Sequence, residues 1–274
     1  MSAIVLKDFS LEMTGKDIAG LEDAHVAIPA GTRVNVTFLG NEDLQMRLDA
    51  ARAVRRLGLV PVPHISARRL PSRDDLEQYL AGLRTEDVFV IGGDPSAPHG
   101  PYPDALSIIR SGLLQQHGVR HVGISGYPEG HPAIADHELW GALADKQAEL
   151  EAQGLSGSII TQFGFDLDAV LAWVRQVREI GIDLPVRVGV PGPAGVRRLM
   201  TYAARFGVGT STSIAKKYGL SLANLMGTAG PDRFLRGLAA AYDPAVHGEV
   251  KVHFYTFGGL KATAEWAARF KEEG

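Results

Sequence analysis

Eight short runs rich in β-branched and apolar residues alternate with longer stretches of helical period, and this alternation confines the chain to a small set of folds. The runs are "FSLEMT" (9–14), "RVNVTFLG" (33–40), "LVPVPHIS" (59–66), "DVFVIGG" (87–93), "HVGISGY" (121–127), "GSIITQFGF" (157–165), "PVRVGV" (185–190) and "KVHFYTF" (251–257). Helices are expected over 42–57, 73–83, 103–117, 134–153, 167–180, 194–206, 231–242 and 260–272. In the first of these Leu44, Leu48, Ala51, Val54 and Leu57 recur at three- and four-residue steps, and Gly58 supplies a stop. Eight strand–helix pairs in 274 residues argue for an α/β fold of the (β/α)8 TIM-barrel type over an open doubly wound sheet. The first unit is thin and the segment from Val208 to Gly230 is irregular. With no internal repeat or linker, residues 1–274 read as a single catalytic domain.

Composition excludes several chemistries. The sequence has no cysteine, which removes disulfides, thiolate metal sites and cysteine nucleophiles, and suits a reducing compartment such as the cytoplasm. A formal net charge of −3 gives no electrostatic footprint for nucleic acid. No apolar run approaches a membrane span, and the N-terminus does not read as a signal peptide. "NVT" at Asn35 to Thr37 matches the glycosylation pattern but falls inside an expected buried strand, and is read as chance. His131 and His137 are six apart and no H-E-x-x-H is present, so no metal site is expected. No G-x-S-x-G elbow supports a serine hydrolase. "GVPGPAG" (189–195) lacks dinucleotide-loop spacing, and its prolines delete backbone donors.

In a barrel of this kind the inward side chains fill a packed core, and chemistry is placed at the C-terminal strand ends. Those ends are polar here: Glu12, Thr37, His64, Asp94, Tyr127 with Glu129 and His131, Gln162 with Asp166, and Tyr255 with Thr256. Glu12 lies in an apolar-alternating strand, where desolvation favours the protonated carboxyl and a general-acid role; on a frayed edge it would be an ordinary salt-bridge partner. "IGGDP" sets Asp94 behind two glycines, Gly92 and Gly93, where a flat ligand can approach the backbone; an Asp-Pro turn is the plainer reading. A site with neither metal nor nucleophile points to an organic cofactor.

"SGYPEGHP", "IITQFGFD", "GIDLPVRVGV" and "VHFYTF", in this order, resemble the methylenetetrahydrofolate reductase family, with its Y-P-E-x-H-P turn and H-F-Y-T strand. Upstream, "SLEM", "VNVTF", "PVPHIS" and "VIGGDP" extend the likeness over almost the whole chain. The resemblance implies a barrel that binds FAD non-covalently, takes a hydride from NADH or NADPH, and reduces 5,10-methylenetetrahydrofolate to 5-methyltetrahydrofolate by a ping-pong cycle at one mouth. It implies Glu12 as the acid that protonates folate, Asp94 as pterin ligand beside the flavin, and Gln162 as a substrate-orienting residue. Thr37, His64, Gly93, Asp94, Tyr127 and His131 would bind the cofactor, with Lys146 a looser match near its phosphates. The partner is a small-molecule folate; neither nucleic acid nor membrane is expected, and a homo-oligomer is compatible. A tetrahydrofolate-dependent methyl-transfer barrel would keep Asp94 and Gln162 without flavin, and a non-catalytic folate- or flavin-binding barrel is the third reading.

Four departures fall around the pocket. Met13-Thr14-Gly15 follows the first-strand glutamate where the family has F-F-P-P. Gly92 replaces an arginine, Gly164 an aromatic, and Val196 a phenylalanine.

Overall fold

The computed structural model describes residues 6–208 and 227–272, so most of the irregular segment from Val208 to Gly230 lies outside the described residues. Eight parallel strands close into a barrel: β1 Ser10–Met13, β2 Arg33–Val36, β3 Val60–Ser66, β4 Asp87–Ile91, β5 His121–Gly126, β6 Ser156–Thr161, β7 Val186–Pro191 and β8 Val250–Tyr255. Each strand pairs with its sequence neighbours, and β1 closes the ring by pairing Ser10 with His253 and Leu11 with Phe254.

Several strands end earlier than their apolar runs suggest. β2 stops at Val36 and β6 at Thr161, leaving Thr37–Gly40 and Gln162–Phe165 to the rim, where the backbone turns towards the next helix. The helix expected over 103–117 is two, Ala105–Ile109 and Leu113–Gln116, because Gly112 sits at φ 71° between them. Asp104 caps the first through Ser107 N at 2.8 Å. Ala194–Gly195 and Thr228–Ala229 form a small antiparallel pair outside the barrel.

The helices follow from capped amphipathic segments. Asp43 accepts Met46 N at 2.8 Å to start α1, Leu44–Arg56, whose Leu48, Ala51 and Val54 are buried. Asp166 caps α2, Leu167–Glu179, which buries Val170, Trp173, Val174 and Val177. α3, Leu260–Glu272, buries Trp266 and Phe270.

Because side chains alternate across a strand, the barrel sorts its residues by parity. One parity (Leu11, Met13, Val88, Val90, Val186, Val188, Val190, Val252, Phe254) belongs to the main core, which the strands share with the helices. The other parity faces the axis and departs from the packed apolar interior expected of it. Among the described residues, only Val62, Phe89 and Ile160, with Ile91 against them, form an apolar cluster there. Ser10, Asn35, His64, Ser66, Ser158, Arg187 and His253 are buried polar residues of that face. Charged and polar residues therefore run along the inside of the barrel as well as around its mouth.

At the N-terminal end Asp8 gathers three cations: Lys251 Nζ at 2.6 Å, Arg187 Nη2 at 3.0 Å and Arg33 Nη1 at 3.3 Å. Burial raises the Asp8 carboxyl, but the Lys251 hydrogen bond and the charges of Arg187, Lys251 and Arg33 together hold it below its ordinary value. A carboxylate whose pKa is depressed on folding adds stability above its unfolded pKa and loses it as pH falls through the folded one. Asp8→Asn, which suits the φ of 60° at this position, should cost about 2 kcal/mol at pH 7, since it leaves the nearly buried Arg187 without its charge partner. Urea unfolding at pH 7 and at about pH 3 checks this: the difference between the two proteins should shrink at the lower pH as Asp8 protonates.

Candidate functional site

The C-terminal mouth gathers most of the polar strand ends. Glu12 projects from β1 with 18% of its side chain exposed, and its Oε2 lies 3.7 Å from both His64 Nε2 on β3 and His253 Nε2 on β8. Burial drives His64 down to about 4, against the raising charge of Glu12, so this imidazole is neutral near pH 7. Asn35 Nδ2 faces His64 Nε2 at 3.3 Å, and Tyr79 donates to the His64 carbonyl at 3.2 Å. Asn35 is thus buried and bonded inside the barrel, in keeping with reading its glycosylation pattern as chance.

Around this centre the rim is shaped for a flat polar group. Thr37 Oγ1 and Ser66 Oγ are buried and find no hydrogen-bond partner among the described residues. Gly93 sits at φ 92°, and a Cβ there would collide with Ser66 Oγ; at Gly92 nothing lies within 4 Å of where a side chain would begin. Orphaned hydroxyls beside an open glycine shelf are groups that a bound ligand with hydrogen-bonding edges can satisfy. Asp94 stands exposed at the rim, 3.5 Å from Arg69 Nη2. The Arg69 guanidinium lies over Gly40, in the space a Cβ would need, and it brings a positive charge to the rim although Gly92 has none.

The Tyr127–Pro132 turn is braced from within. Tyr127 and His131 rings meet edge to face at 5.2 Å, Gly130 turns at φ 77°, and His131 Nδ1 accepts Ala133 N at 3.1 Å. Burial raises the Tyr127 phenol and lowers His131. Glu129 Oε1 reaches across to accept Phe165 N at 3.2 Å, close over Gly164. A Cβ at Gly164 would lie 2.8 Å from that oxygen, so glycine is what lets the turn lock onto the end of β6.

Gln162 follows β6, its backbone N donating to Gly126 O at 2.8 Å and its Oε1 accepting Phe163 N at 3.1 Å. Asp166 acts as a helix cap, accepting Asp168 N. On the opposite side Tyr255 donates to Thr161 O at 3.1 Å and Thr256 to Glu12 O at 2.7 Å. Lys146 is placed differently. It lies buried on the inner face of helix Asp136–Ala152 between Leu143 and Leu150, where burial lowers it to about 8 against the raising charge of Asp104. No group of His, Asp and Glu among the described residues is arranged to hold a metal ion.

Three parts of this arrangement are absent from the reading of strand ends. His253 lies one step inside the strand end, and its signal is parity: it shares the inward face with Tyr255 and pairs in register with Ser10. Arg69 follows β3 in a short basic stretch, "SARRL", beyond the strand-end residues. An aromatic group of Phe163, Tyr202, Phe206, Tyr255 and Phe257, with Tyr202 and Phe257 stacked at 4.1 Å, joins residues far apart in the chain.

A closed parallel barrel with a half-buried carboxyl flanked by imidazoles at its C-terminal mouth belongs to the TIM-barrel class. Residues 29–218 match the sequence profile described as "Methylenetetrahydrofolate reductase", and the chain belongs to that family. It is 27% identical over 164 residues to methylenetetrahydrofolate reductase 2 of Saccharomyces cerevisiae, covering 56% of this chain and 26% of that one. It is 26% identical over 152 residues to 5,10-methylenetetrahydrofolate reductase of Pectobacterium carotovorum subsp. carotovorum, covering 54% of this chain and 49% of that one. The chain thus spans about a quarter of the yeast relative's length and half of the bacterial one's. Among solved structures, dihydropteroate synthase (FolP) from Thermus thermophilus shares the fold at 17% identity, with a TM-score of 0.52 over 97% of this chain and 94% of that one. No helix among the described residues is long and apolar enough to cross a membrane.

Proposed function

We propose that the chain is a flavin-dependent reductase that converts 5,10-methylenetetrahydrofolate to 5-methyltetrahydrofolate with NADH or NADPH. The observation that carries this reading is Glu12, a carboxyl held between two imidazoles at the mouth of a barrel of this family. Reduction of the methylene bridge needs one proton and one hydride per turnover. Glu12 delivers the proton to a folate nitrogen, which opens the five-membered ring and leaves a cationic carbon to be reduced. FAD, when bound, would supply hydride chemistry at this mouth, with NAD(P)H as the reductant.

The remaining residues hold and orient. Thr37, Ser66 and the Gly92–Gly93 shelf offer hydroxyls and open backbone to the edge of a flat ring, and Tyr127 and His131 present a rigid turn beside it. Asp94 accepts the paired donors of the pterin, and Gln162 orients it. Arg69 supplies the cation that Gly92 does not. Lys146 serves the cofactor phosphates only if its helix presents the ammonium outward, because it faces Asp104. Folate and NAD(P)H use one mouth in turn, and positioning of this kind is worth several kcal/mol of barrier (roughly 7–11 at the upper end).

The test is optical. Protein loaded with FAD should bleach when NAD(P)H is added anaerobically and regain its colour when 5,10-methylenetetrahydrofolate follows. A protein that binds folate but takes up no flavin would point instead to methyl transfer. One that binds flavin and never bleaches would be a binding protein.

A further inference from the structure

Three arginines lie near the rim where β2 and β3 end, and two of them are spent on the fold. Arg47 is buried, lies over the Phe38 ring at 3.7 Å and donates to Glu42 O at 2.7 Å. Arg68 donates to Pro103 O at 2.8 Å and to Pro95 O at 3.3 Å, while its backbone N donates to Gly92 O at 2.9 Å. Arg69 is different. Its side chain is only 22% exposed, yet its guanidinium makes no hydrogen bond among the described residues. Its ion pair, at 3.5 Å, is with Asp94, a carboxylate 85% exposed to water. Five N–H donors on a mostly buried guanidinium cost free energy unless they are met, and a screened surface carboxylate meets them poorly.

The guanidinium is nonetheless held in place. It lies on the Gly40 backbone, where a Cβ would overlap Nη1 and Cζ. The loop that carries Gly40 is fixed by Glu42, whose carboxylate accepts Gly15 N at 2.8 Å and Leu39 N at 3.4 Å. On its other side the guanidinium borders Asp94, at the edge of the open Gly92–Gly93 shelf. A planar fork, pre-positioned and with its donors unspent, matches the paired oxygens of a phosphate.

We propose that Arg69, seated on Gly40, is a phosphate-binding residue that takes the diphosphate of a dinucleotide whose flat ring lies on the Gly92–Gly93 shelf. This deepens the reductase reading and rests on it for the class of ligand, since FAD and NAD(P)H both carry a diphosphate. The place of Arg69, three residues beyond the end of β3 and beside the shelf, suits the molecule that lies on the shelf better than the carboxylate tail of a folate stacked above it. Asp94 is then the competitor for the guanidinium, and an arriving diphosphate releases its carboxylate for the donors of the pterin.

Calorimetric titration of flavin-free protein with ADP, FAD, riboflavin and NAD(P)H tests this. Arg69→Gln should weaken ADP binding about 10- to 100-fold, the span that hydrogen bonds to a charged group contribute, and leave riboflavin, which has no phosphate, within about twofold. A matching loss for FAD alone assigns the diphosphate to the flavin, a loss for NAD(P)H alone assigns it to the nicotinamide dinucleotide, and a loss for both means that the two use Arg69 in turn. Arg69→Lys keeps the charge without the fork and should recover only part of the affinity. Gly40→Ala keeps every charge but displaces the guanidinium, and should weaken ADP several-fold. Asp94→Asn removes the competitor and should tighten ADP. The urea midpoint of Arg69→Gln should match the wild type, because the side chain makes no hydrogen bond within the described fold. Unchanged ADP and FAD affinity in Arg69→Gln, an equal loss for riboflavin, or a loss confined to 5-methyltetrahydrofolate overturns the proposal. Arg69-dependent ADP binding in a protein that takes up FAD and never bleaches with NAD(P)H would leave the phosphate site standing and refute the reductase reading.

Discussion

Glu12→Gln should bleach with NAD(P)H at the wild-type rate and recolour with 5,10-methylenetetrahydrofolate about 10²–10⁴-fold more slowly, the span that a positioned general acid contributes. The amide matches the carboxyl in size and fills the same space between His64 and His253, so binding and packing change little. What it lacks is a transferable proton. In the proposed reaction the asymmetry between the two half-reactions is the diagnostic: the first would deliver a hydride and ask for no acid, and the second would need one to open the folate ring. Stopped-flow absorbance of each half-reaction separates them. Equal losses in both would mean that Glu12 shapes the cofactor site and does not carry the proton.

How far the sequence reaches is clear from particular residues. Strand alternation reports the outer parity well, because burying β-branched residues against helices leaves a repeating pattern in a short window. Leu11, Val34, Val88, Val186 and Val252 are all core residues of the outer layer, and the eight-stranded closure follows from their spacing. The inner parity leaves a weaker signal. Ser10, Asn35 and Ser158 look like ordinary polar interruptions of an apolar run. That they line one interior cavity with Arg187 and His121 depends on strands paired across the ring. The split of the helix expected over 103–117 turns on one backbone angle at Gly112, which a periodicity argument averages away.

The site divides in the same way. Glu12, His64 and the Tyr127–His131 turn sit at strand ends and are visible as polar residues out of pattern. His253 is hidden inside a strand that reads as ordinary, because its nearness to Glu12, far away in sequence and 3.7 Å away in space, comes only from closure of the ring. Lys146 shows the converse: a basic residue at a family-like position, but turned towards a helix interface and Asp104. The departures at Gly92 and Gly164 each have a local physical counterpart, Arg69 at the rim and Glu129 over the missing side chain. Neither counterpart is adjacent in sequence to the glycine it answers.

Phe254→Ala should be the most damaging core substitution near the site, costing about 3–5 kcal/mol. Phe254 is fully buried on the outer face of β8, edge to face with Phe9 at 5.6 Å and with Trp266 of α3 at 5.8 Å. It has His253 and Tyr255 as immediate neighbours on the inner face, so one strand carries the anchor outside and the chemistry inside. Truncation leaves a cavity between strand and helix that rigid neighbours cannot fill, and β8 loses what fixes its height relative to β1, where Phe254 pairs with Leu11. Phe254→Leu keeps much of the apolar volume and should cost less than half as much. Urea unfolding of both variants measures the cost. The link to function is read in the folded Leu variant, where a small shift of β8 against β1 should, on the proposed reading, slow the folate half-reaction more than the NAD(P)H half-reaction, because only the former uses the Glu12 proton. Equal slowing of the two would separate the packing of β8 from the placement of Glu12 and leave Phe254 a stability residue alone.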